Sequence, residues 1–155
     1  ADVRIKWPND IYVRDRKICG MLIENSLRGD EVATSIVGIG INLNQRDFPA
    51  ELANPTSLAI ATGKEIGPKE ALEDFLPFFL MRLEMSLTTE GRAEMRNDYL
   101  DILYRKDKPF PYRDNVTGEE FTGTIKGISD IGELLAEMPD KSIKSFSFKE
   151  IGYII

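Results

Sequence analysis

The sequence predicts an α+β protein in which an antiparallel sheet, a helical segment and a small β-barrel follow one another along 155 residues. Three observations predict it. Residues 3–42 break into short strand-like runs separated by turn signals, residues 56–103 switch to a helical period, and alternation with glycine punctuation returns beyond residue 109.

The first region contains runs at 3–6, 11–14, 17–27 and 32–42, separated by Pro8-Asn9-Asp10, Asp15-Arg16 and Arg28-Gly29-Asp30. Such spacing predicts three or four strands in one meander. In the second region Pro68 stands where a first helical residue should. Leu72, Leu76, Phe79, Leu83 and Leu87 then recur at helical steps, predicting an amphipathic helix bent at Pro77. A further helix is expected over 90–103 with Met95, Tyr99, Ile102 and Leu103 inward. The third region offers runs at 109–113, 120–128, 133–137, 142–148 and 151–155, set apart by Gly118, Gly127, Gly132, Pro139-Asp140 and Gly152. Five short strands in about 50 residues suggest a small barrel of the SH3 type. The expected domains are 1–104 and 105–155.

Composition narrows the chemistry. Twenty basic against 26 acidic residues give a net charge of -6, without the basic footprint of a nucleic-acid binder. The chain has no histidine, which removes His-dependent triads and the commonest metal ligand, and its single cysteine, Cys19, has no internal disulfide partner. The longest apolar-plus-glycine stretch, 36–41, is far short of the ~20 residues of a membrane span. No signal-peptide pattern occupies the first twenty residues, so a cytoplasmic location is expected.

Three stretches could carry chemistry. Lys6 closes one run and Asp10 follows four residues later across the Pro8 turn. A cation and a carboxylate converging on a turn suit phosphate chemistry, although a surface lysine and an Asn-Asp turn explain the same letters. Lys17 heads an apolar run, where a lysine commonly snorkels, and Gly20 inside that run implies a bulge or a closely approaching ligand. In 37–44 the alternation places Val37, Ile39, Ile41 and Leu43 on one face and Gly38, Gly40, Asn42 and Asn44 on the other. The second face suits a flat ligand fixed by amides at one end. Close packing of a helix on the glycines is the alternative.

The order Lys6-Trp7-Pro8-Asn9-Asp10, Lys17-Ile18-Cys19-Gly20-Met21-Leu22-Ile23-Glu24, Gly38-Ile39-Gly40-Ile41-Asn42-Leu43-Asn44 and Thr56-Ser57-Leu58 resembles the biotin protein ligases, or biotin–[acetyl-CoA-carboxylase] ligases. Gly123-Thr124-Ile125-Lys126-Gly127-Ile128 and Gly132-Glu133-Leu134-Leu135 look like the small β-barrel that follows the catalytic domain in this family. The resemblance implies a partial catalytic domain related to class II aminoacyl-tRNA synthetases, with an SH3-like domain after it. It implies ATP-dependent activation of biotin to biotinyl-5'-AMP and transfer to a lysine of a biotin carboxyl carrier domain, with magnesium accompanying the nucleotide.

Carried over by position, Lys17 resembles the lysine at the reacting carboxylate and phosphate, Lys6 a second phosphate-side cation, and Asp10 a magnesium-associated carboxylate. Gly20, Met21 and Leu22 resemble the stretch beside biotin, while Gly38, Gly40 and Asn42 resemble the strand under the adenylate. The family's upstream glycine- and arginine-rich loop is not in this sequence, so the chain is expected to be the C-terminal part of a longer ligase and inactive alone. A homodimer is compatible with the resemblance. Two rival expectations are a non-catalytic protein-binding or scaffold module and, less well matched, a lipoate-ligase relative.

Overall fold

The computed structural model describes residues 2–154. Its contacts divide it into two compact units, one running through Arg92 and the other from Ala93.

The first unit opens with β1 (Val3–Lys6), β2 (Asp10–Val13), β3 (Arg16–Arg28) and β4 (Glu31–Ile41), a four-stranded antiparallel meander in sequence order. The turn signals read from the sequence fall at its connections. One irregularity matters for the site. Ile11 pairs with Cys19 and Tyr12 with Lys17, so Ile18 is an extra, unpaired residue that bulges β3. After the sheet, Ser57 caps α1 (Leu58–Thr62) by accepting the Ile60 N–H at 3.2 Å, and Gly63 ends it in the left-handed region at φ 76°. Helix α2 (Pro68–Ser86) begins on the expected proline, holds Pro77 inside, and is followed by α3 (Thr89–Asp101).

Trp7, Tyr12, Ile18, Cys19 and Ala59 form the buried part of this unit, with Thr56 and Ser57 buried among them. The helical stripe does not bury as its period suggests. Leu72, Leu76, Phe79, Leu83 and Leu87 are all exposed, and α2 has no buried residue. The apolar face of β4, from Val37 through Leu43, and Pro68, Ala71, Leu72 and Phe75 line a cavity of about 350 Å³ instead of closing on one another. Periodicity reports which face is apolar; burial further requires a surface in contact, and among the described residues that contact is incomplete.

In the second unit β5 (Pro109–Asp114), β6 (Glu120–Ile128), β7 (Leu134–Glu137), β8 (Ile143–Phe146) and β9 (Ile151–Tyr153) form an antiparallel sheet in the order β8-β7-β6-β5-β9. The strands fall where alternation places them. Leu103, Tyr104, Tyr112, Ile125, Leu134, Ala136, Phe146 and Ile151 are its core. Tyr99 and Leu103 turn inward as expected, whereas Ile102 is exposed. Among the described residues no ladder joins β8 to β9, so the sheet stays open and the closed barrel expected from strand count does not form. Strand number and spacing carry no information about whether the first and last edges meet.

Candidate functional site

The register of the first sheet gathers residues that are far apart in sequence. Lys6 of β1 pairs with Asp10 of β2, Asp10 with Gly20 of β3, and Gly20 with Gly40 of β4. Directly opposed residues share a face, so these four stand in one rung across all four strands. The next rung on the same face holds Arg4, Tyr12 and Lys17, and Lys17 reaches this face only because of the Ile18 bulge. An uninterrupted strand would point residues 17 and 20 to opposite faces. Of the other expected site residues, Leu22 pairs with Gly38 on the glycine face, while Met21 pairs with Ile39 on the opposite one.

Lys6, Lys17 and the Asp10 carboxylate are thereby concentrated at one end of a bare strip. Lys17 Nζ lies 2.7 Å from Asp10 Oδ1, with side-chain exposures of 44% and 18%. Such a half-exposed pair contributes only about 0–1 kcal/mol to stability. Lys6 Nζ stands 5.4 Å from the centroid of the buried Tyr12 ring, a cation–π arrangement. The bare strip is open. A Cβ placed on Gly40 would meet only the Gly20 carbonyl oxygen at 3.8 Å, and one on Gly38 nothing closer than 4.0 Å. Among the described residues no helix lies within 4 Å of a Cβ at these two positions, so the helix-on-glycine alternative does not describe the face as it stands here.

The main chain around Lys17 is held tightly. Lys17 N–H donates to Asn54 O at 2.9 Å, Thr56 N–H donates to Lys17 O at 2.8 Å, and Pro55 bridges to Lys17 in parallel. Asn54 is fixed in turn, accepting from the Tyr12 hydroxyl at 3.5 Å and donating to Asp15 O at 2.6 Å. Asn9 ties the Pro8 turn to β3 by donating its side-chain amide to Met21 O, while Met21 N–H donates to Asn9 O at 2.9 Å. The two asparagines read as ligand amides are engaged by the backbone. Asn42 Nδ2 donates to Thr56 O at 3.0 Å, and Asn44 clasps Ile66 with both amide atoms, at 2.8 and 3.1 Å. Asn44 is a loop anchor, and Asn42 braces the segment that holds Lys17.

Sequence reasoning missed Tyr12, Asn54 and Thr56 as supports of Lys17. The Thr56-Ser57-Leu58 motif was the available signal for the last. Cys19 lies on the opposite side of the bulge, buried, its thiol pushed up by burial first and the Asp10 charge second, with Lys17 opposing. It is an inert packing residue.

A metal fits here in one way. Among the described residues no three His, Cys, Asp or Glu side chains are placed to hold an ion, so there is no protein-built cage. Magnesium commonly takes one or two carboxylates and completes its shell with substrate phosphates and water, and Asp10 can supply the single carboxylate of that arrangement.

This sheet and its charged rung are the candidate site, and comparison with known proteins shows what the chain as a whole is similar to. The sequence model of the biotin/lipoate A/B protein ligase family matches residues 1–42. The chain is 34% identical over 143 residues to the biotin–[acetyl-CoA-carboxylase] ligase of Paracoccus denitrificans, covering 90% of this chain and 58% of that protein. It is 35% identical over 146 residues to the bifunctional ligase/repressor BirA of Bacillus subtilis, covering 92% and 44%. The biotin protein ligase of Aquifex aeolicus in its apo structure has a TM-score of 0.74 at 28% identity, covering 97% of this chain and 64% of that one. Its complex with biotin and ATP gives 0.73 at 27% identity, covering 97% and 61%. The chain thus spans about half the length of the curated relatives it matches. The resemblance to biotin protein ligases read from the motifs holds over nearly the whole of it.

Proposed function

We infer that this chain carries the phosphate-side part of a biotin protein ligase site. In this reading a biotin carboxylate oxygen attacks the α-phosphorus of ATP, pyrophosphate leaves, and biotinyl-5'-AMP forms. A lysine amine of a biotin carboxyl carrier domain then attacks the mixed anhydride, and AMP leaves. Negative charge builds on phosphorus-bound oxygens in the first step, and preorganised cations stabilise it most in the transition state. Lys17 and Lys6 are the cations, Gly20, Met21 and Leu22 the backbone stretch beside biotin, and Gly38, Gly40 and Asn42 the strand under the adenylate. Asp10 would hold magnesium, which when bound with ATP neutralises phosphate charge.

The reading assigns residues 1–104 to a catalytic domain related to class II aminoacyl-tRNA synthetases and 105–155 to an SH3-like domain, in a cytoplasmic protein. The single observation that supports it best is the rung Lys6–Asp10–Gly20–Gly40 with Lys17 turned onto its face. The solved complex of the Aquifex aeolicus biotin protein ligase with biotin and ATP adds support.

The test is calorimetric titration of ATP and of biotin into the chain and its Lys17→Ala variant. The reading requires ATP binding that the substitution weakens by about tenfold or more, equivalent to roughly 1.4 kcal/mol. ATP binding indifferent to Lys17 contradicts it.

A further inference from the structure

We propose that Gly20 is a positioning residue for Lys17: its bare Cα is the seat over which the Lys17 ammonium is held against the Asp10 carboxylate, facing the open glycine strip. Three observations carry this. Asp10 and Gly20 are directly paired across β2 and β3, so a side chain at 20 would project beside the Asp10 carboxylate. The Ile18 bulge brings Lys17 onto the same face. A Cβ built on Gly20 would sit 3.2 Å from both Lys17 Cε and Nζ and 3.3 Å from Asp10 Oδ1. A side chain there would therefore crowd both members of the ion pair and press them away by a few tenths of an ångström.

Gly40 is the internal comparison. It stands next to Gly20 in the same rung, yet a Cβ there meets nothing within 3.7 Å; its nearest neighbour is at 3.8 Å. The two glycines thus do different things. Gly40 leaves a surface open, and Gly20 leaves room for a neighbouring charge. The atoms crowding Gly20 are the far ends of flexible side chains, so a methyl there displaces the pair rather than the backbone. Being half exposed, the pair is weak enough for the ammonium to move from Asp10 to an incoming phosphate. That last step rests on the ligase reading; the seat itself does not.

The experiment uses the full chain with lysine labelled at 13Cε. In the wild type, Gly20 Hα and Lys17 Hε protons should show a nuclear Overhauser contact. In Gly20→Ala the Lys17 Hε and Cε signals should move toward the values seen in Asp10→Asn, while Gly40→Ala leaves them in place. Absence of the contact in the wild type overturns the seat whether or not the variant folds, and so do Lys17 signals unchanged in folded Gly20→Ala. ATP is then titrated into the same samples. ATP that leaves Lys17 unmoved in the wild type counts against the ligase reading, whereas the ammonium signals before ATP decide the seat independently.

Discussion

Substituting Gly40 by valine separates an open ligand floor from a packed core face. A Cβ at Gly40 meets one carbonyl oxygen at 3.8 Å, ordinary van der Waals contact, so two added methyls extend into open space. Glycine within a strand is disfavoured by roughly 0.5–1 kcal/mol relative to alanine, and β-branched residues suit strands on a scale spanning about 1 kcal/mol. Gly40→Val should therefore leave stability unchanged or raise it by up to about 1 kcal/mol, which for a chain of this size moves Tm by roughly 2–4 °C. Overpacking of a closed face would instead destabilise by about 1–3 kcal/mol. Ligand binding should respond in the opposite sense: the branched side chain rises from the strip, and ATP affinity should fall by about tenfold or more, roughly 1.4 kcal/mol. Thermal melts followed by circular dichroism, beside calorimetric titration of ATP, read both. A fall in Tm of several degrees with ATP affinity intact in the folded protein would refute the open-floor geometry.

Two further outcomes follow from the same structure. Lys17→Ala should change Tm little, because its ion pair with Asp10 is half exposed, yet it should weaken ATP binding; a large loss of Tm with binding retained would make Lys17 a packing residue. Asp114 is nearly covered, and its carboxyl is held below the usual carboxylate range first by the Lys144 ammonium at 2.5 Å, then by the Thr117 and Val116 N–H groups. Because its folded pKa is depressed, its contribution is fully present above the ordinary carboxylate range of about 3.9 and is lost as pH falls through the folded value. Melts of Asp114→Asn should thus lose less Tm than the wild type between neutral and acid pH, and identical pH profiles would contradict the assignment.

The strands were legible because their ends carry specific turn chemistry: Pro8-Asn9-Asp10, Asp15-Arg16 and Arg28-Gly29-Asp30 mark connections whose neighbours pair in order. The site was legible in part. Alternation along 37–44 separated the glycine face from the apolar face correctly, whereas the face Lys17 takes relative to Gly20 depends on a bulge that alternation does not carry. The Ile18 bulge has no local signature, since an unpaired residue is a property of two strands together. The same limit applies to Asn42 and Asn44, whose parity was right but whose hydrogen bonds go to Thr56 and Ile66, contacts 14 and 22 residues away. Leu72, Leu76 and Phe79 gave the helix its period without specifying a covering surface, and five strands were counted without knowing whether β8 would meet β9.

On the proposed reading, one rung of the first sheet, Lys6–Asp10–Gly20–Gly40, with Lys17 turned onto it, receives the phosphates of ATP. Mapping backbone amide shifts during an ATP titration of the 15N-labelled chain tests it most directly. The largest shifts should fall at Asp10, Lys17, Gly20 and Gly40, with Val37 and Ile39 on the opposite face little changed. Shifts concentrated on Val37, Ile39 and the α2 residues Leu72 and Phe75, with the rung silent, would contradict it.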